Sequence, residues 1–220
     1  GGMLGRWNDG GGQALAKWLK EKHPEFKPRR ILDLGCTIGH NAVPLAQAFP
    51  DAEVIAIDVA APMLRYGHAR ARALGVNNIT FRQANAESLD WPDGHFDLIS
   101  TAMFWHESSA KAMPRKLREV HRLLADGGLT AHLEQPQYEG MDVYEQFVRD
   151  WDTYNNNEPF WGVMHEYDLR KMMAEAGFDP ERYFETAARG VVDPDIFPEA
   201  ASDGEDYGRA ALWTMFGAWK

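Results

Sequence analysis

The chain has 220 residues, of which 45% are hydrophobic and 25% charged, proportions that fit one globular domain with a sizeable core and argue against disorder. A net charge of −10 argues against a nucleic-acid partner, which would be held by Lys and Arg neutralising phosphates. The single cysteine, Cys36, excludes an internal disulfide and suits a reducing compartment. No apolar run reaches the ~18 residues of a bilayer span, and Gly1 to Arg6 lack the apolar core of a signal peptide. A cytoplasmic protein acting on a small molecule is the expectation, without membrane insertion; a homodimer stays open.

The first strand is Ile31 to Leu34, halted at Gly35. A helix follows over His40 to Phe49, with Val43, Leu45, Ala46 and Phe49 on its apolar face; Pro44 falls in the first turn and Pro50 ends it. Glu53 to Ile57 is a second buried strand closed by Asp58, and Pro62 opens the next helix, for which Gly75 is a suitable C-cap. Asn77 to Gln83 and Phe96 to Ala102 continue the strands. Ala112 to Leu124 is a helix with Leu117, Val120, Leu123 and Leu124 at helical spacing, stopped by Asp126-Gly127-Gly128, and Leu129 to Glu134 is the fifth strand.

Strands alternating with helices in this way predict an α/β fold, a doubly wound and mostly parallel Rossmann-like sheet. Met141 to Tyr154 and His165 to Ala176 read as further helices, and Arg182 to Ala187 and Ala211 to Trp219 as strands that pair antiparallel at the sheet edge. Asp193 to Asp206 is an acidic, proline-containing loop. The expectation is a single domain over 1–220, with 136–165 inserted as a helical lid to which Trp7 to Lys20 contributes.

The loop Asp33-Leu34-Gly35-Cys36-Thr37-Ile38-Gly39 follows the first strand, where ligands of open α/β sheets bind. Gly35 allows a sharp turn and Gly39 lets the next helix start close to a ligand. Asp58 lies about twenty residues on, at the second strand's end, where a carboxylate accepts both hydroxyls of a ribose. Pyrophosphate sites read G-x-G-x-x-G; here the spacing is G-x-x-x-G, and Asp33 would repel a pyrophosphate but suit a ligand carrying an ammonium group.

In these residues the sequence resembles the class I S-adenosylmethionine-dependent methyltransferases, particularly the small-molecule branch with the ubiquinone/menaquinone C-methyltransferases. The family pattern D-x-G-x-G-x-G is matched at Asp33, Gly35 and Gly39, with Thr37 where a glycine is usual. Three further segments agree in order: Asp58 to Leu64; Gln83 to Leu89 with Pro92-Asp93 and Phe96-Asp97; and Leu123 to Gly128, where Asp126 replaces the proline of an L-K-P-G-G turn. The resemblance covers about Ile31 to Glu134. It implies S-adenosyl-L-methionine as cofactor, with Asp33, Gly35, Cys36, Gly39, Asp58, Val59, Met63, Asn85, Ala86, Glu87, Ala102 and Met103 around it. Asn85 replaces an aspartate whose oxygen accepts from the adenine amino group.

Other readings compete at several positions. Asp33 and Asp58 can be loop or strand-end acids, Asn85 a turn residue, and Cys36 a small packing residue whose amide faces the cofactor. His106 and Glu107 follow the fourth strand, where the family brings substrate to the methyl group; His106 is a candidate general base or a structural pocket wall. Glu134 ends the fifth strand as a pocket acid or a cap. Phe104, Trp105, Tyr144, Phe147, Trp151, Tyr154, Phe160 and Trp161 pack a lid or line an apolar pocket. Asp150, Asp152 and Asn155 to Asn157 either supply polar contacts there or end a helix. The remaining histidines show no H-x-x-x-H spacing, so no metal is expected. The expected reaction is methyl transfer to a small molecule; a nicotinamide-dependent oxidoreductase and a non-catalytic S-adenosylmethionine-binding protein remain as alternatives.

Overall fold

Short runs of Ile, Leu, Val and Phe closed by Gly, Asp or Asn can bury their side chains only as interior strands, and the amphipathic segments between them must cover both sheet faces. The computed structural model describes residues 9–135, 137–190 and 212–220. In chain order its elements are α1 (Gly10–Lys22), β1 (Arg30–Leu34), α2 (Ala42–Ala48), β2 (Glu53–Asp58), α3 (Ala61–Ala73), β3 (Ile79–Gln83) and β4 (Phe96–Ala102). They continue with α4 (Met113–Leu123), β5 (Leu124–Glu134), α5 (Val143–Asn155), α6 (Trp161–Met164), α7 (Leu169–Glu175), β6 (Tyr183–Arg189) and β7 (Leu212–Trp219).

The seven strands form one sheet in the order β3-β2-β1-β4-β5-β7-β6. Neighbouring strands from β3 to β5 pair parallel, and β7 pairs antiparallel with both β5 and β6. The chain therefore winds one way from β1 through β3 and the other way from β4, which opens a crevice at the carboxyl ends of β1 and β4. Alternate residues feed two cores. Ile31, Leu98, Leu129 and Met215 meet Leu15, Leu19, Val43, Leu45 and Leu64 on one face. Leu32, Ile99 and Phe216 meet Leu117, Val120, Leu123 and Met173 on the other. The period of two in the strands and the helical spacing in α4 produce this division directly.

Two expectations change. The segment Gly10–Lys22 is not a lid: Leu15 and Leu19 are fully buried, so α1 is a core helix. Strand β5 starts at Leu124, five residues ahead of the expected Leu129, because Asp126-Gly127-Gly128 is carried within the strand as an irregular stretch where its register with β4 shifts. Helix α5 forms where expected and is capped by Asp142, whose carboxylate accepts the Glu145 amide at 2.9 Å, yet it buries no residue. The acidic segment Asp193 to Asp206 lies outside the described residues.

The insertion of β7 between β5 and β6 depends on a glycine. Gly217 pairs with Ala131 and Phe184, and a Cβ there would overlap the Thr130 carbonyl oxygen and stand 2.8 Å from Phe184 Cζ. Gly217→Ala is expected to cost about 3 kcal/mol, the upper part of the overpacking range. Urea unfolding should show a lower midpoint at an unchanged slope.

Candidate active site

The residues between β1 and α2 turn under tight constraints. Gly35 and Gly39 have φ of 68° and 87°, in the left-handed region that costs glycine least. Thr37 adopts φ 46° between them, a conformation worth about 1 kcal/mol of strain to a residue with a Cβ. Its amide donates to Asp58 Oδ2 at 2.9 Å, and the other carboxylate oxygen accepts the Ala60 amide at 2.8 Å. Asp58 thereby ties the glycine loop to the start of α3. Each of its oxygens keeps a second lone pair, enough for two ribose hydroxyls. Below the loop, Asp9 pairs with Arg70 and with His40 at 3.0 Å, which anchors the residues beside Gly39 to α1.

Asp33 is 1% exposed at the end of β1. Asn41 Nδ2 donates to its Oδ1 at 2.7 Å and to Ser100 Oγ at 2.9 Å, while Oδ2 is buried without a hydrogen-bond partner. Burial pushes its pKa up to about 7 against the opposing Asn41 hydrogen bond. A buried carboxylate oxygen with a spare lone pair beside a ribose acid fits the ammonium-bearing tail of S-adenosylmethionine. Val59 and Met63 are 66% and 47% exposed next to Asp58, an apolar flank of the kind an adenine ring covers.

Other members of the expected cofactor set divide. Asn85 Oδ1 accepts the Glu87 amide at 3.0 Å, an Asx turn that leaves it one free lone pair. Ala86 is buried in the core under that turn, and Glu87 is engaged with Arg115 at 2.6 Å. The Cys36 amide is not free for a ligand, because it donates to the Ile57 carbonyl at 2.9 Å; burial also raises its thiol pKa well out of the reactive range. Ala102 ends β4, and Met103 follows with φ 54°, turning the chain into the 3-10 turn Trp105–Glu107.

That turn and the end of β5 form a second cluster. Glu134 is fully buried; its Oε1 bonds His106 Nδ1 at 2.6 Å and accepts the Gln135 amide at 3.0 Å, while Oε2 accepts the Phe104 and Trp105 amides at 3.1 and 2.9 Å. All four lone-pair sites of the carboxylate are thus used. His106, 4% exposed, stacks on Trp161 at 5.0 Å, and its Nε2 lies 3.8 Å from Glu107 Oε1. Burial disfavours its protonation, but the Glu134 hydrogen bond and charge, followed by the charges of Glu107 and Glu158, outweigh this and raise its pKa. The sequence singled out His106, Glu107 and Glu134. It missed Asn41, the partner of Asp33, and Glu158, which reaches His106 from the loop after α5; Asn41 joins Asp33 across the glycine loop to the distant Ser100, and Glu158 meets a histidine on another element, so neither carries a local signal.

Phe104 packs over Gly35, so closely that a Cβ there would collide with its ring, and it joins the glycine loop to the histidine cluster. Lys116 sits 4.3 Å from that ring and donates to Ser108 Oγ at 2.9 Å. Among the described residues no helix is long and apolar enough to cross a membrane.

Comparison with known proteins points one way. A family model described as a methyltransferase domain matches residues 31–128. A ubiquinone/menaquinone biosynthesis C-methyltransferase UbiE of a Shewanella species is 32% identical over 172 residues, covering 70% of this chain and 68% of the relative. A demethylmenaquinone methyltransferase of Thermus thermophilus is 38% identical over 112 residues, covering 51% and 50%. Among solved structures, the YcgJ protein of Bacillus subtilis aligns with a TM-score of 0.63 at 18% identity, covering 93% of this chain and 97% of the other. The [4+2]-cyclase SpnF aligns at 0.65 and 20% identity, covering 94% and 81%. At such identities these structures bear on the fold alone.

Proposed function

The chain belongs to the class I S-adenosylmethionine-dependent methyltransferases, and on that premise we propose that it methylates a small molecule held at the carboxyl ends of β4 and β5, with His106 as the acceptor-side base. S-adenosylmethionine supplies an electrophilic methyl group on a sulfonium whose sulfur is already a good leaving group. The protein's contribution is then to align the acceptor, exclude water and take up a proton. Asp58 would hold the ribose, Asp33 the ammonium tail, and Val59 and Met63 the adenine. Asn85, Ala86 and Glu87 would border the adenine through their turn, and Gly35, Gly39, Ala102 and Met103 would line the crevice.

The observation that carries the reading is the arrangement at His106. Its Nδ1 is committed to Glu134, which fixes the neutral tautomer with the lone pair on Nε2. That nitrogen points toward Glu107 and Glu158, away from the Glu134 carboxylate. Glu107 and Glu134 therefore have different parts: Glu134 is a positioning residue, and Glu107 borders the acceptor. Segment 136–165, with α5 and its exposed Tyr144, Phe147, Trp151 and Tyr154, is suited to cover the acceptor as a lid.

The direct test is methyl transfer from labelled S-adenosylmethionine to a metabolite panel, followed by a pH profile on the substrate found. The free base is needed and its pKa is raised by Glu134, Glu107 and Glu158. The expected log(kcat/KM) therefore falls with unit slope as pH drops through an apparent pKa above 6.5. A falling acid limb that persists unchanged in His106→Gln would remove His106 from this role.

A further inference from the structure

Two carboxylates converge on the open nitrogen of His106 from separate elements. Glu107 ends the 3-10 turn after β4, with its Oε1 3.8 Å from His106 Nε2, and Glu158 follows α5; one oxygen of each glutamate and a ring nitrogen of His106 lie within 4.8 Å of one another. Neither glutamate forms an ion pair with a lysine or arginine among the described residues; Lys116, Ser108's partner, lies near enough only for its charge to be felt at Glu107. Burial and then the charge of Glu107 raise the Glu158 pKa, with His106 opposing and Asp152 adding to it. The cluster thus concentrates negative charge and acceptor atoms around one small volume beside the methyl-transfer site. An acceptor that turned anionic there, such as a phenol losing its proton, would meet repulsion; a cation would not.

The spacing suits a small cation. A divalent ion with bonds of about 2.1 Å sets adjacent octahedral ligands about 3.0 Å apart and tetrahedral ones about 3.4 Å apart. An ammonium with charge-assisted bonds of about 2.8 Å sets neighbouring acceptors about 4.6 Å apart. The Nε2 to Glu107 separation of 3.8 Å lies between the metal and ammonium spacings, and the three atoms stay within 4.8 Å of one another, so the cluster has room for an ammonium without fixing a metal geometry.

Resting on the methyltransferase reading, we propose that the acceptor is a primary or secondary amine, bound as its ammonium by Glu107 and Glu158, whose excess proton passes to His106 Nε2. The N–H bond pair stays on nitrogen and becomes the lone pair that forms the new N–CH3 bond, while the S–CH3 pair remains with sulfur. The proton rests on an imidazolium held by Glu134 and stacked against Trp161, an arrangement that favours the charged ring. It leaves to water after each turnover, and the product departs as the methylated ammonium. A gap of about three pH units between an amine and an imidazole leaves about one molecule in a thousand deprotonated, a pool that fast proton exchange refills.

Calorimetry on the full chain saturated with S-adenosylhomocysteine tests this with matched pairs: benzylamine against benzyl alcohol, and phenethylamine against 2-phenylethanol. Each amine is expected to bind at least about tenfold tighter than its alcohol. Glu107→Gln and Glu158→Gln should each remove about tenfold of that preference while leaving S-adenosylhomocysteine affinity as in the parent protein. Equal affinities for amines and alcohols overturn the amine assignment. So does tight Mn2+ binding, read by electron paramagnetic resonance, that is lost in Glu158→Gln. Failure to bind S-adenosylhomocysteine would instead overturn the cofactor reading, and methyl transfer only to hydroxyl or carbon acceptors in the labelled panel would leave that reading standing without the amine.

Discussion

Asp58→Ala is expected to weaken S-adenosylmethionine binding by at least about a hundredfold. Two charge-assisted hydrogen bonds to ribose hydroxyls are worth about 1.5–3 kcal/mol each, and their loss is not fully additive. The same carboxylate accepts the Thr37 and Ala60 amides, so the substitution also loosens the glycine loop before any ligand arrives. Two measurements separate these effects. Thermal unfolding of the ligand-free variant should report a loss of about 1–2 kcal/mol from the two amides. At a ligand concentration one hundred times the parent Kd, the parent gains about 2.7 kcal/mol and the variant almost none. Asp58→Asn restores one amide acceptor, and so part of the ligand-free stability, without restoring affinity. An unchanged calorimetric Kd in Asp58→Ala would remove Asp58 from the cofactor site.

Glu134→Gln is expected to lower kcat by about a hundredfold or more while S-adenosylmethionine affinity is unchanged and the acceptor KM moves little. With its carbonyl kept on the Phe104 and Trp105 amides, the glutamine turns its NH2 toward His106 Nδ1, which must then accept, so the tautomer reverses and the proton sits on Nε2. That nitrogen can then no longer accept one, and general-base catalysis worth about 10²–10⁴ is lost. The variant also cannot satisfy the four donors that Glu134 now accepts, and a stability loss of about 2–4 kcal/mol should accompany it. Rates must therefore be compared at a temperature where both proteins are folded. The discriminating readout is the acid limb of the pH profile. With the charge that raises the His106 pKa gone, that limb should flatten or move to lower pH, whereas a merely structural Glu134 would lower active concentration without moving it.

Much of the cofactor half was legible in order along the chain. Asp33, Gly35, Gly39 and Asp58 lie close to a strand, a turn and a strand end, and short-range backbone demands select such residues directly. Thr37 is instructive, because it stands where the family carries glycine and nothing nearby in sequence says how the loop survives. The structure keeps the left-handed turn at φ 46° and secures the threonine amide on Asp58, twenty-one residues away. Cys36 went the other way: its position in the loop suggested an amide facing the ligand, but β2 claims that amide through Ile57.

The sequence by itself determined the alternation of strands and helices, the glycine loop with its ribose acid, and the placement of His106 beyond β4. Each depends on contacts within a few residues or on one repeating period. Only the tertiary structure decided that α1 belongs to the core and that β7 enters between β5 and β6 at Gly217. It alone decided that Glu134 orients His106, and that Glu158 joins Glu107 at the imidazole's open nitrogen. Those pairings join residues 28 or more positions apart, which local propensity cannot encode and the tertiary packing of the sheet must supply.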